Sequence, residues 1–236
     1  MAPKKSVLPM FLLRVIRMAP SQMSMEMLKK MGMTIQSGES SGITDTEISI
    51  IDNLSRYSAN NLVISYGFSL PTGSIDETGD KGKLGYPMQL GSGTYDFVPS
   101  ISHQQMFAGS WAYGVQGRAT IRIGNNSEDY RLGNKYAAST WLTKASTQRL
   151  SLSAILDLAY NDNICGADSD MKLMMSPSLD PEAREATVVT AGIAGRYKFG
   201  SGHNLMLRAN VPVYEDLTGY QLMTDYKLTF NYKKMF

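Results

Sequence analysis

Apolar and polar positions alternate with period two along most of the chain. Leu62, Ile64, Tyr66, Phe68 and Leu70 share one parity against Val63, Ser65, Gly67 and Ser69. Trp111–Ile123 sets Trp111, Tyr113, Val115, Ala119, Ile121 and Ile123 against Gln116, Arg118, Thr120 and Arg122. Further alternating runs are Leu150–Tyr160, Val189–Phe199, Leu205–Val213 and Leu222–Phe236, with weaker ones at Thr44–Tyr57, Gly93–His103 and Asn134–Thr143. Strict alternation puts successive side chains on opposite faces of a strand, so each run reads as a strand with one apolar face. In Asn134–Thr143, Tyr136 and Trp141 fall on opposite parities, which points to a bulge or another register.

Alternation also suits a soluble sandwich or a lipocalin-like binder. Length and connection parity favour a membrane barrel. The runs are about 10–14 residues long, against ~5–6 for ordinary soluble strands and ~9–11 for membrane-spanning ones. Short links at 58–61, 104–110, 144–149 and 200–202 alternate with long ones at Thr72–Ser92, Gly124–Gly133 and Asn161–Arg184; the modest Glu215–Tyr220 link occupies a long-loop slot. Short turns at one end and long loops at the other are the outer-membrane pattern. Aromatic residues gather near run ends. Trp111, Tyr113, Phe199 and Phe236 form a girdle at the turn end, with Tyr95, Phe97, Tyr160 and Tyr214 at the loop end. The expected architecture is all-β: a transmembrane antiparallel up-and-down β-barrel of about ten strands. Residues 43–236 form the barrel, and 1–42 form an irregular N-terminal segment with one strand and a Met-rich loop.

The polar parity then lines a lumen with Gln116, Arg118, Arg122, Asp157, Arg196, Lys198, Arg208, Asn210, Asp225 and Lys227, joined by Glu47 and Asp96. Both charge signs in a narrow barrel imply cross-strand ion pairs that constrict it. Composition agrees once alternation is allowed for. The 236 residues are 43% hydrophobic, with net charge +2 and mean hydropathy −0.20. The longest apolar stretch, Val7–Leu13, is too short for a membrane helix. Half of each strand is hidden from a hydropathy average.

The chemistry-bearing residues are sparse. Cys165 is the single cysteine, and His103 and His203 are the two histidines, both at turn ends. No Ser–His–acid spacing stands out, so no catalytic residue is assigned and the chain is read as a non-enzyme without a cofactor. Met23, Met25 and Met27 are weak candidates for a soft metal ion, although methionine more often fills apolar surface. Asn161–Asp170 is acidic but has Lys172 where a calcium loop needs its bidentate Glu, so it reads as a solvated extracellular loop. No phosphate-binding glycine loop or basic–aromatic stripe is present, so nucleic acid is not an expected partner.

Gly67–Asp76, Tyr86–Asp96 with its Pro87-Met88-Gln89-Leu90-Gly91-Ser92-Gly93-Thr94-Tyr95-Asp96 run, and Val211–Leu217 followed by Gly219–Leu222 and Thr224-Asp225 are distinctive. Together they resemble the outer-membrane β-barrel transporter family named after a MetA pathway of phenol degradation, over roughly residues 40–236. The resemblance implies passage of small solutes, aromatic ones included, and carries no catalytic residues. Such barrels have about twelve strands behind a signal peptide. Here no signal peptide is evident, and the chain reads as N-terminally shortened. The terminal Phe236 looks like the signal read by the barrel-assembly machinery. Lipid and lipopolysaccharide are the other expected partners, and the bacterial outer membrane is the expected location. The function this supports is a passive channel for small solutes. The alternative is a non-conducting structural or adhesive barrel acting through Thr72–Ser92 and Asn161–Arg184.

Overall fold

The computed structural model describes residues 6–7, 10–19, 40–54, 61–79, 82–171, 179–200, 202–219 and 221–235. Met23, Met25, Met27 and Phe236 lie outside these described residues. The strands are β1 (Ser6–Val7), β2 (Met10–Ala19), β3 (Thr46–Asn53), β4 (Leu62–Leu70), β5 (Thr78–Gly79), β6 (Gly82–Lys83), β7 (Tyr95–Phe107), β8 (Trp111–Ile123), β9 (Lys135–Ala145), β10 (Leu150–Asn161), β11 (Ala186–Phe199), β12 (His203–Leu217) and β13 (Gln221–Met235). A 3-10 turn spans Tyr86–Met88.

Every long strand pairs antiparallel with its sequence neighbour, in the order β3-β4-β7-β8-β9-β10-β11-β12-β13. On its other edge β13 pairs with β1 and β2, which keep one register: Ser6 faces Met235 and Phe11 faces Phe230. Counting β1 and β2 as one strand makes ten spanning strands of up-and-down topology among the described residues. Among the described residues, the seam lies between β2 and β3. β2 ends beside Gln221 and β3 begins beside Leu70, both at the long-loop end, so the two run antiparallel as barrel closure requires. The small β5–β6 hairpin stands apart within the first long loop.

One face is apolar and exposed. Phe68 is 54% exposed, Ile193 70% and Leu207 57%, values expected of side chains that meet lipid rather than a protein core. β12 and β13 have 15 residues each. At ~3.3 Å per residue and ~40° tilt, they rise about 38 Å, more than the ~25 Å apolar band needs. Their ends therefore stand in the interfaces, where the aromatic residues sit.

Two irregularities set which way side chains point. Thr190 faces Pro212, but Val189 faces Tyr214, so Val213 is an extra residue. Pro212 has no N–H to give the ladder, and the bulge falls beside it. The bulge turns Tyr214 to the lipid face despite its even number, and Tyr214 is exposed. A second bulge on β13 leaves Asp225 between Thr224 and Tyr226, which face the consecutive residues Ile16 and Val15.

The expected irregularity in β9 is absent. β9 pairs with β8 and β10 without a register shift. Trp141 instead faces the lumen, on the same face as Ser139 and Thr143. It lies flat on Gly114 of β8, where an added Cβ would stand 2.2 Å from the indole Cζ2. The glycine is what lets a large ring fit inside.

The buried hydrophobic cluster lies outside the strands. Tyr86, Tyr130, Ile164, Met171 and Leu179 come from the three long loops, with Leu132 packed beside them. The loops thus fold into a cap at one end of the sheet. The Asn161–Asp170 segment is solvated only in part: Cys165, Gly166, Ala167, Ser169 and Asp170 are exposed, but Asp168 is buried and Ile164 belongs to the cap core. Apolar loop residues can bury themselves only by packing on the neighbouring loops.

Candidate functional site

The candidate site is the polar interior and its two mouths. At its centre, Asp157 of β10 gathers donors from three other strands. It accepts from Ser139 Oγ of β9 at 2.6 Å, from Thr190 Oγ1 of β11 at 3.2 Å, and from Asn210 Nδ2 of β12 at 3.0 Å. Arg208 Nη2 of β12 completes the set as an ion pair. Arg208 Nε also donates to Asn210 Oδ1 at 2.7 Å. Arg208 and Asn210 reach Asp157 across β11, where their register partners are Ala194 and Gly192. A Cβ on Gly192 would stand 2.6 Å from Asn210 Nδ2. Small residues on β11 therefore leave the space through which β12 and β10 are tied.

Nearer the cap, two more pairs cross the interior. Arg122 of β8 and Asp96 of β7 are register partners and form a buried ion pair, with Asp96 also accepting from Thr94 Oγ1 at 2.7 Å. Arg118 of β8 meets Glu47 of β3 at 2.5 Å, spanning β4 and β7. Glu47 passes over Gly67, where a Cβ would lie 3.0 Å from its Oε1.

The cap is held by its own charged pair. Lys83 Nζ lies 2.7 Å from Asp168 and 2.9 Å from Asp76, and the Asp168 side chain is 0% exposed. Burial acts to lower the Lys83 ammonium, but the hydrogen bonds to Asp168 and Asp76 outweigh it and leave it raised. Burial pushes the Tyr130 phenol up to about 12. Arg184 is 8% exposed, its Nε and Nη2 have no hydrogen-bond partner, and burial lowers it to about 10. Between cap and strands lies a cavity of about 450 Å³, lined by Asp45, Tyr86, Asp96, Arg122, Asp162 and Arg184 among others.

At the turn end a second cavity of about 400 Å³ is lined by Arg196, Lys198, Asn204, Leu205, Met206, Asn231 and Lys233.

Of the lumen residues expected from sequence, Arg118, Arg122, Asp157, Arg208 and Asn210 are brought into these cross-strand contacts. Gln116 faces Ser102 and Ser139 in register, on the same side as Asp157. Arg196 and Lys198 line the turn-end cavity. Lys227 faces Asn210 of β12 in register, and Asp225 sits at the bulge described above.

Of the girdle residues, Trp111, Tyr113 and Phe199 lie on the outer face at the turn end, and Tyr95, Phe97, Tyr160 and Tyr214 on the outer face at the loop end. The structure adds Phe107 and Tyr232 at the turn end, and Tyr136 stacked on Tyr160 at the other. Both histidines sit in the turn-end belt. The His203 ring stacks 5.6 Å from Phe199, and its Nδ1 is 2.5 Å from the Tyr232 hydroxyl. The His103 ring lies 6.1 Å from Tyr113.

Sequence reasoning missed Trp141, the Lys83–Asp168 pair and buried Arg184. Trp141 was legible in principle, because Ser139 shares its parity and Ser139 belongs with Asp157. The cap residues left no periodic signal. Among the described residues, no cluster of three or more His, Cys, Asp or Glu could hold a metal ion.

In fold, the chain resembles the crystal structure of an outer membrane channel from Pseudomonas putida F1. The two are 14% identical with a TM-score of 0.64, over 99% of this chain and 85% of that one. It also matches OmpT lacking loop L8, an outer membrane protein of Vibrio cholerae, at 11% identity and TM-score 0.43, over 81% of this chain and 53% of that one. No curated protein matches. The lipid-facing apolar surface, the girdles and the shared barrel fold place the chain in the bacterial outer membrane. The sequence profile of the family described as "Putative MetA-pathway of phenol degradation" matches residues 7–220, and the chain belongs to that family.

Proposed function

We propose that this barrel is a passive, non-enzymatic channel for small solutes, aromatic compounds included. The carrying observation is the interior: a polar face whose charged groups are tied strand to strand, with cavities at both ends. Ion pairs that compensate one another leave a narrow polar path without a large desolvation barrier of one sign. One solved structure it resembles in fold is an outer membrane channel, which supports the same reading. Lipid and lipopolysaccharide are the surrounding partners of such a barrel. The barrel-assembly machinery is its folding partner through β13.

The test is planar-bilayer recording of the refolded protein, with liposome swelling in small neutral aromatic solutes. Discrete conductance and swelling above empty liposomes are expected. Silence in both, from protein whose gel mobility shifts on boiling, refutes the channel.

A second reading is favoured by the cap: Leu179 is 1% exposed and Tyr130 0%, so the long loops form a built surface. A non-conducting barrel that works through this cap would bind a surface or ligand while remaining electrically silent.

A further inference from the structure

The interior charges are sorted along the axis. The carboxylates Glu47, Asp96 and Asp157 lie in the outer and middle parts, each matched with an arginine. The turn-end cavity is different. Among the described residues, Arg196, Lys198 and Lys233 line it, and none of the other lining side chains, from Asn204, Leu205, Met206 and Asn231, is acidic.

Register holds the three cations close. Lys198 faces Asn204, and Asn204 faces Lys233, so the two lysines stand on one level two strands apart. Two strand spacings separate their backbones by about 9–10 Å. Arg196 faces Met206, and Met206 faces Asn231, one inward step further from the turn. All sit on the same face as Arg208 and Asp157. Among the described residues, the salt bridges within 4 Å use Lys83, Arg118, Arg122 and Arg208 but none of these three.

We propose that this cluster is a binding station for a small oxyanion, a carboxylate or a phosphate, at the inner mouth of the lumen. Two lysines on one level with an arginine above them offer converging donors, and Asn204 and Asn231 add neutral amides between them. Cations gathered in a confined cavity raise the local anion concentration and turn a neutral passage into an anion-selective one. The selectivity rests on the channel reading above; the binding does not.

Reversal potential in a tenfold KCl gradient reads the selectivity. The unmodified protein should prefer chloride to potassium several-fold, and the R196Q/K198Q/K233Q variant should lose that preference. Isothermal titration of the detergent-refolded protein with inorganic phosphate, sodium benzoate and, as neutral control, benzyl alcohol reads the binding. At least one anion should bind saturably and benzyl alcohol should not. The affinity should fall about tenfold or more between 0.05 and 0.5 M salt, as the screening length shortens from roughly 14 to 4 Å. Phosphate alone, or benzoate alone, identifies which oxyanion the station takes. Cation preference in the unmodified protein, or anion binding unchanged in the triple variant, overturns the proposal. Should the triple variant fail to fold, the unmodified protein's own potential and titrations decide. Electrical silence refutes the channel, and the titrations then judge the station by themselves.

Discussion

Replacing Asp157 with alanine tests whether the central network holds the barrel together. The substitution removes the acceptor for Ser139, Thr190 and Asn210 and leaves Arg208 without its counter-ion. Breaking a fully buried pair by removing one partner costs ~3–5 kcal/mol. Here the side chains are 26% (Arg208) and 23% (Asp157) exposed, so water relieves part of the cost. The expected loss is about 2–4 kcal/mol for Asp157→Ala. Asp157→Asn keeps the shape; its one oxygen can accept on one side while its amide donates to a hydroxyl on the other, so it should cost less, about 1–2 kcal/mol. In Asp157→Ala/Arg208→Met the orphaned cation is gone too, and the double variant should recover at least ~1 kcal/mol relative to additivity. Urea unfolding in lipid vesicles, followed by tryptophan emission and by heat-modifiable mobility, reads all three. A loss below ~0.5 kcal/mol for Asp157→Ala, or strict additivity with Arg208→Met, would refute the idea that these strands are tied through Asp157.

Gly114→Ala should cost about 1–3 kcal/mol by forcing the Trp141 ring from its place, and in a Trp111→Phe background it should red-shift the remaining emission. Lys83→Met strands the buried Asp168 carboxylate and should speed proteolysis within residues 161–185 at least tenfold; the barrel's mobility shift stays, and Lys83→Met/Asp168→Asn restores resistance. Ile193→Lys on the outer face should cost ~2–4 kcal/mol of folding stability in bilayers, whereas a cost near zero would mean that this face does not meet lipid.

Period-two patterning is a local property, so the sequence was enough for the strands, their two faces and the parity of the loops. Leu62–Leu70 and Trp111–Ile123 are strands with those same bounds, and the ends of other strands differ by a few residues, because fraying ends carry weak patterns. Parity also placed the inward charges on the polar face. It failed where the strand was not uniform. Past the Val213 bulge, parity alone would point Tyr214 inward, although its place at the strand end already put it in the girdle, and Trp141 looks inward because a glycine on the neighbouring strand leaves it room.

What only the tertiary structure decided is which charges meet. Asp157 and Arg208 are 51 residues apart and Glu47 and Arg118 are 71 apart, each joined across intervening strands. Those pairings depend on inter-strand register and on small residues such as Gly192 and Gly67 lying underneath. Neither is a property of one segment. The cap has the same origin, since Lys83 and Asp168 come from different loops and meet only once those loops pack on one another. The sorting of charge along the axis also appears only then: once the carboxylates have taken their arginines, Arg196, Lys198 and Lys233 are left facing one cavity.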